Sequence, residues 1–141
     1  GSTDASRTIN SKTPSSYKEF MDDVINVDVL VNRLQVDGYN YVAGTSTKRP
    51  YTPRGYAGLL ATLDDTARRF YDNGVLGRNV YTDPRSGEEE EARYGYVIFS
   101  DPGDVLDATK AQKNERRYPP VSMLALLARA GHVAEINLTV E

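Results

Sequence analysis

The sequence predicts an α+β fold, with a largely antiparallel sheet and two main helices packed on one face of that sheet. Helical periodicity is confined to the first half of the chain, and period-two alternation of apolar and polar residues is confined to the second half. Strands and helices do not alternate, which argues against βαβ units. With 141 residues, the chain has the length of one domain with a single core.

Composition limits the chemistry that this chain can perform. It has no cysteine and a single histidine, so we expect no disulfide, no metal site and no cofactor. The formal net charge of −3 argues against a nucleic-acid partner, and no apolar run approaches the roughly 20 residues that cross a membrane. Ten tyrosines supply side chains that protein interfaces favour.

We divide the chain into a flexible N-terminal arm, residues 1–15, and a domain, residues 16–141. Gly1 and Ser2 resemble a cloning scar, and the arm is rich in Ser, Thr and Asp, with Ile9 as its only large aliphatic residue. The stretch TINSKT has the character of a strand. We therefore expect the arm to become ordered by pairing with another subunit.

The first element of the domain is predicted to be a helix. Ser16 and Glu19 fit a capping box, and an apolar stripe follows at Phe20, Val24, Val27, Val31 and Leu34. A strand over VINVDVLV is the alternative, because β-branched residues favour strands. Asp37 and Gly38 weaken the helix near its end, although YNYVAG is able to add another turn.

A second helix is predicted after a loop that contains two prolines. Thr52 is a good N-cap, and Pro53 occupies the first helical position, where the missing N–H costs nothing. Gly74 ends the helix, and Arg68 and Arg69 lie in its last turns, where cations suit the helix dipole.

The remainder of the chain is predicted to be extended. NVYT is a short strand, DPRSGEEEE a polar turn and ARYGYVIFS the clearest internal strand, followed by a turn at DPG. The charged residues 104–117 form at most a loose helix. The segment VSMLALLARAGHVAEINLTVE is predicted to form two strands joined by a turn at ARAG, with a helix over MLALLARA as the alternative.

The last strand has the clearest alternation in the chain. Ala134, Ile136, Leu138 and Val140 fall on one face, and the intervening residues fall on the other. Such a strand either completes a sheet within its own fold or offers an edge to another chain. The sequence alone leaves both alternatives open.

Few side chains suggest catalysis. His132 has no second metal ligand nearby in sequence, and a relay with Ser100 or Ser122 lacks the sharp turn that carries a catalytic serine. The run Glu88 to Glu91 is most simply solvated. Asp101, Asp104 and Asp107 lack the alternate spacing of a calcium loop. We therefore expect no catalytic, cofactor-binding or metal-binding residues, and a protein that is not an enzyme.

The order of several motifs resembles the C-terminal domain of contractile tail sheath proteins of bacteriophages. These motifs are SYKEF, YTPRGYAGLL, NGVLG, YGYVIFS, RRYPPV and GHVAEINLTVE, and the resemblance covers roughly residues 17 to 141. The resemblance implies a domain beside the tail tube whose terminal strands add to the sheets of neighbouring subunits. It also implies location in the virion tail, after assembly in the host cytoplasm.

The resemblance leads to a specific set of expected contacts. The partners are other sheath subunits in helically stacked hexameric rings, together with the tail tube protein. The expected subunit-interface residues are Ile9, Val133, Ile136, Leu138 and Val140. Removal of residues 133–141 is expected to abolish polymerisation and to leave the helix pair and a sheet. The alternatives are a tail-completion or neck ring protein and a small hydrolase that uses Glu88 to Glu91.

Overall fold

A computed structural model describes residues 3–11, 16–45, 52–106, 118–129 and 131–140. The described elements, in chain order, are β1 (Thr3–Ser11), α1 (Tyr17–Thr45), α2 (Pro53–Asp72), β2 (Asn79–Thr82), β3 (Glu89–Ala92), β4 (Tyr96–Ile98), a 3-10 helix (Pro102–Val105), β5 (Val121–Leu126) and β6 (His132–Val140). The α+β prediction is confirmed.

The main sheet has four strands in the order β1-β6-β5-β4, and every neighbouring pair is antiparallel. One face of this sheet packs against both helices and forms the larger hydrophobic core. The β2-β3 hairpin lies against the other face, where Tyr81 and Ala92 join Leu124, Leu126 and Val133 in a smaller core. The helices and the hairpin thus cover opposite faces of the sheet.

Helix α1 begins at the predicted capping box. Glu19 donates its backbone N–H to Ser16 Oγ over 3.1 Å, and the backbone N–H of Ser16 donates to Glu19 Oε2 over 3.4 Å. The strand alternative for VINVDVLV is wrong. The helix also continues through Gly38, where an added Cβ would lie 3.2 Å from Val140 Cγ2. Glycine at this position lets the end of β6 approach the helix backbone closely.

Helix α2 is bounded by the predicted residues. Thr52 Oγ1 accepts a hydrogen bond from the backbone N–H of Gly55 over 3.1 Å, and Pro53 is the first helical residue. After the helix, Gly74 has φ of +80° and donates its N–H to the Tyr71 carbonyl over 3.0 Å. A positive φ is the conformation that favours glycine just after a helix.

The acidic run is not simply a turn. Glu89 to Ala92 form β3, which pairs with β2 so that Tyr81 lies opposite Glu90. Glu91 forms an ion pair with Arg78. The prediction of a polar turn over all of DPRSGEEEE is therefore wrong in its second half, because cross-strand pairing overrides the low strand propensity of glutamate.

The strand predicted over ARYGYVIFS is shorter in the structure, where β4 holds only Tyr96–Ile98. The chain turns before β4, and Gly95 there has φ of +75°. An added Cβ at Gly95 would lie 2.6 Å from the backbone nitrogen of Gly77. Glycine is therefore required here for a second reason, because two segments of backbone approach closely.

The C-terminal hairpin has the predicted form. β5 and β6 pair in antiparallel register, and the Leu127 N–H donates to the His132 carbonyl over 2.9 Å next to the turn. The helix alternative over MLALLARA is wrong. Of the loose helix predicted for residues 104–117, only the end of the 3-10 helix Pro102–Val105 lies within the described residues, and 107–117 lie outside them.

Candidate subunit interface

The last strand completes the sheet of its own chain. β6 lies between β1 and β5 and forms antiparallel ladders with both. The side chains of Ala134, Ile136, Leu138 and Val140 point into the larger core and are at most 2% exposed. The predicted alternation is confirmed, and β6 is a central strand of the main sheet.

Val133 lies on the opposite face of β6 from these four residues. It is buried in the smaller core, with Leu124 and Leu126 of β5 and under the β2-β3 hairpin. Glu135 and Asn137, which share this face, are exposed, because the hairpin covers only one end of the strand. The predicted interface residues of β6 are therefore divided between two faces.

Ile9 belongs to β1, which lies at one edge of the main sheet. Ile9 and Ala5 are half-buried against the larger core, whereas Ser6 and Thr8 are exposed. The Arg7 side chain extends from β1 to α1, where Nε donates to Asp28 Oδ1 over 2.5 Å. The nine-residue ladder with β6 is the main attachment of β1.

A buried histidine–aspartate pair joins α1 to the start of β6. His132 is 0% exposed and Asp23 is 4% exposed, and His132 Nδ1 is hydrogen-bonded to Asp23 Oδ2. The Phe20 ring is perpendicular to the imidazole, with 5.5 Å between the ring centroids. The sequence argued against a metal site or a serine relay at His132 but did not indicate Asp23 as its partner, because 109 residues separate the two in the chain.

The serines considered for a relay are engaged with other groups. Ser122 Oγ donates to Asn137 Oδ1 over 3.0 Å, and Ser100 Oγ donates to the Pro120 carbonyl over 3.4 Å. Asp101 and Asp104 cap the 3-10 helix Pro102–Val105 through reciprocal hydrogen bonds. Their spacing therefore has a structural explanation.

Two further observations concern the described residues as a set. Within them, no three His, Asp or Glu side chains lie close enough together to hold a metal ion. The helices in those same ranges include none that is both long and apolar enough to span a bilayer.

At the other edge of the sheet, β4 is tied to α2. Tyr96 Oη donates to Asp64 Oδ1 over 2.8 Å, and burial together with this carboxylate raises the pKa of Tyr96 above its usual range. Arg68 of α2 stacks on the Tyr94 ring, 3.4 Å from its centroid. These contacts hold β4 against the helix layer.

Comparison with known proteins identifies the family. A protein-family model described as E217 tail sheath protein gp31-like, C-terminal domain, matches residues 21–140. The chain belongs to this family. The suspected resemblance is therefore confirmed, and the chain is a domain of a phage tail sheath protein. No curated protein and no solved structure gives a significant match.

Motifs that suggested the sheath family lie together in the fold. Tyr56, from YTPRGYAGLL, stacks on Tyr118 of RRYPPV with 5.4 Å between ring centroids. Tyr56 Oη also donates to the Pro119 carbonyl over 3.1 Å. At Gly55 an added Cβ would lie 2.3 Å from Tyr118 Oη. The tyrosine and glycine of one motif thus form the contact surface for the other.

Proposed function

We propose that this sheath domain is a structural subunit that joins its neighbours by exchange of terminal strands. In this proposal β1 leaves its own domain and pairs with β6 of the next subunit, in the register that β1 and β6 have within one chain. Main-chain hydrogen bonds then link the subunits and leave their relative angle adjustable. The observation that carries the proposal is that β1 is paired on one side and half-buried, whereas β6 is paired on both sides and buried.

β1 is the strand that is easier to exchange. It contacts one neighbouring strand, the inward-facing aliphatic side chains of Ala5 and Ile9 are only half-buried, and the exposed ion pair of Arg7 with Asp28 links it to α1. Exposed ion pairs contribute little, about 0–1 kcal/mol. Transfer of β1 to an identical subunit restores every one of these contacts, so the exchange has a small net cost.

β6 is the strand that receives its partner. It is paired on both sides, and its core-facing side chains are almost fully buried. Removal of residues 133–141 would also remove the central strand of the sheet. That deletion therefore does not separate loss of assembly from loss of the fold, and variants in β1 provide the sharper test.

The remaining expectations extend the family assignment. Membership in a tail sheath family supports a virion tail location and assembly with other sheath subunits. Our proposal adds helically stacked hexameric rings around the tail tube protein, assembly in the host cytoplasm and the absence of enzymatic activity. The same membership favours a sheath role over the neck ring protein and the hydrolase.

Disulfide trapping tests the exchange, because the chain contains no cysteine of its own. Ser6 lies opposite Asn137 in the β1-β6 register. One sheath subunit carries Ser6→Cys and a second carries Asn137→Cys. The two are assembled together and oxidised. We expect a covalent pair that contains one copy of each chain, because exchange brings the two thiols together across the subunit boundary.

A register control uses Ser6→Cys with Glu135→Cys. Glu135 shares the exposed face of β6 with Asn137, but it lies opposite Thr8. This combination is expected to cross-link poorly. Assembled tubes that yield no mixed pair, while the double variant S6C/N137C closes efficiently within one chain, would show that β1 stays in its own domain.

A further inference from the structure

Helix α1 has an apolar stripe on its exposed face in addition to the buried stripe that contacts the core. The buried stripe includes Val27, Leu30, Leu34 and Val42. The exposed stripe contains Ile25, Val29, Val36 and Tyr39, with exposed fractions of 58%, 53%, 41% and 37%. Ile and Val are weak helix formers, and core packing does not explain them on the solvent side.

The exposed stripe has the spacing of a coiled-coil seam. From Ile25 the positions advance in alternating steps of four and three, through Val29, Asn32, Val36, Tyr39 and Ala43. Every residue in this series is exposed. In heptad terms Val29, Val36 and Ala43 take a positions, and Ile25, Asn32 and Tyr39 take d positions. Valine at a positions is a feature of two-stranded parallel coiled coils.

We propose that this α1 seam binds the α1 seam of a second copy of the chain in a parallel, two-stranded arrangement. Charged residues beside the seam indicate that its partner is a second copy of this chain. Asp28 takes a g position and Arg33 takes the e position five residues later, so a parallel pair brings Asp28 of each copy next to Arg33 of the other. The sequence is therefore complementary to itself in this orientation.

Both charged groups are accessible for such a contact. The side chains of Asp28 and Arg33 are 55% and 54% exposed, and within the chain they pair with Arg7 and Asp37, respectively. A carboxylate has lone pairs for more than one guanidinium, so the Arg7 contact does not block a second one. An antiparallel pair places g opposite g and e opposite e, and this complementarity is then lost.

The seam positions lie on the face of α1 that points away from the sheet, whereas β1 reaches α1 at Asp28, beside the seam. A parallel pair has two-fold symmetry, which helically stacked rings of one polarity do not have, so this dimer belongs to the unassembled subunit. The exposed apolar area is smaller than that of a standard interface, and we therefore expect a weak dimer with a dissociation constant of roughly tens to hundreds of micromolar. The contact would persist in a variant that lacks β1 exchange.

Sedimentation velocity over a concentration series tests the dimer. We expect the sedimentation coefficient of the chain to shift from the monomer to the dimer value, and Val29→Glu together with Val36→Glu to abolish this shift. Glutamate is a better helix former than valine, so the helix remains intact. Val80→Glu is the matched control, because Val80 is 45% exposed but lies on β2. A monomer at every concentration would overturn the proposal.

Orientation has its own test. Asp28→Arg is expected to weaken the dimer at least about threefold, and the double variant D28R/R33D to restore it, since the opposite charges then meet again in a parallel pair. Ile25→Cys is expected to form a disulfide with the same residue of the second copy. Preferential linkage of Ile25→Cys to Ala43→Cys in a mixture, or failure of the charge reversal to restore the dimer, would refute the parallel arrangement.

Discussion

Replacement of Leu138 by alanine tests whether β6 is part of the core of the free domain. Leu138 is 0% exposed and lies in the central strand, opposite Ala5 on β1 and Val121 on β5. A buried Leu→Ala change costs about 2–5 kcal/mol, because the transfer free energy is lost and a cavity remains. Packed strands on both sides limit collapse of this cavity, so we expect a loss of about 3 kcal/mol in the free energy of unfolding.

Ile9→Ala is the matched comparison on the neighbouring strand. Ile9 is only half-buried and lies on the edge strand, so at most half of the loss expected for Leu138→Ala applies, roughly 1–1.5 kcal/mol. The two substitutions remove aliphatic groups of similar size from adjacent strands. Their difference therefore measures how much more deeply β6 is embedded than β1.

Urea denaturation followed by far-UV circular dichroism measures both losses, since the chain has no tryptophan to serve as a fluorescent probe. With a denaturant slope of about 2 kcal/mol per molar, Leu138→Ala lowers the midpoint by about 1.5 M and Ile9→Ala by about 0.6 M. Equal, small shifts for the two variants would mean that β6 is not embedded in the free domain, and the proposed division of roles between β1 and β6 would then fail.

Two further predictions concern polar side chains. Asp23→Ala removes the buried acceptor of His132 and is expected to cost about 3 kcal/mol in the same urea titration, and less when His132→Phe is already present. Tyr96→Phe is expected to make the domain less sensitive to alkali. Because the pKa of Tyr96 is raised in the folded state, the contribution of this side chain to stability is fully present below about pH 10, the ordinary pKa of tyrosine. At higher pH the unfolded chain loses this proton first, and the free energy of unfolding decreases. Additive losses for the first pair, or parallel alkaline profiles for Tyr96→Phe and the unaltered chain, would contradict these expectations.

Helix boundaries were predictable because each depends on a few adjacent residues. Ser16 with Glu19 and Thr52 with Pro53 satisfy the N–H groups at the two helix starts, and Gly74 adopts the positive φ that follows a helix end. These interactions span only a few positions, so they can be recognised in the sequence without knowledge of the fold.

The elements that were mispredicted depend on distant segments. The acidic strand β3 is stabilised by its pairing with β2, and at Gly95 the nearby backbone of Gly77 leaves no room for a Cβ. Helix α1 includes the further turn over YNYVAG that the sequence allowed, and the reason for glycine at position 38 lies in Val140, 102 positions later in sequence, which packs close to it. Local propensity contains no information about such partners.

The candidate interface was predictable in part. Alternation in β6 identified its buried face correctly, because a period of two is a local pattern. The position of β6 between β1 and β5 was not predictable, since Ser, Thr and Asn dominate β1 and give it no apolar signature. The Asp23–His132 pair was not predicted either, because neither residue belongs to a sequence motif that indicates the other.

The pairing of β1 with β6 also governs the order of events during synthesis of the polypeptide. After Ser11 is added to the growing chain, 120 residues must follow before His132 is added, which takes about 6–24 s at the usual rate of elongation. Throughout this interval β6, the strand that pairs with β1 in the fold, is still missing from the nascent chain. A complete β6 is present during the same interval in molecules that have already been translated.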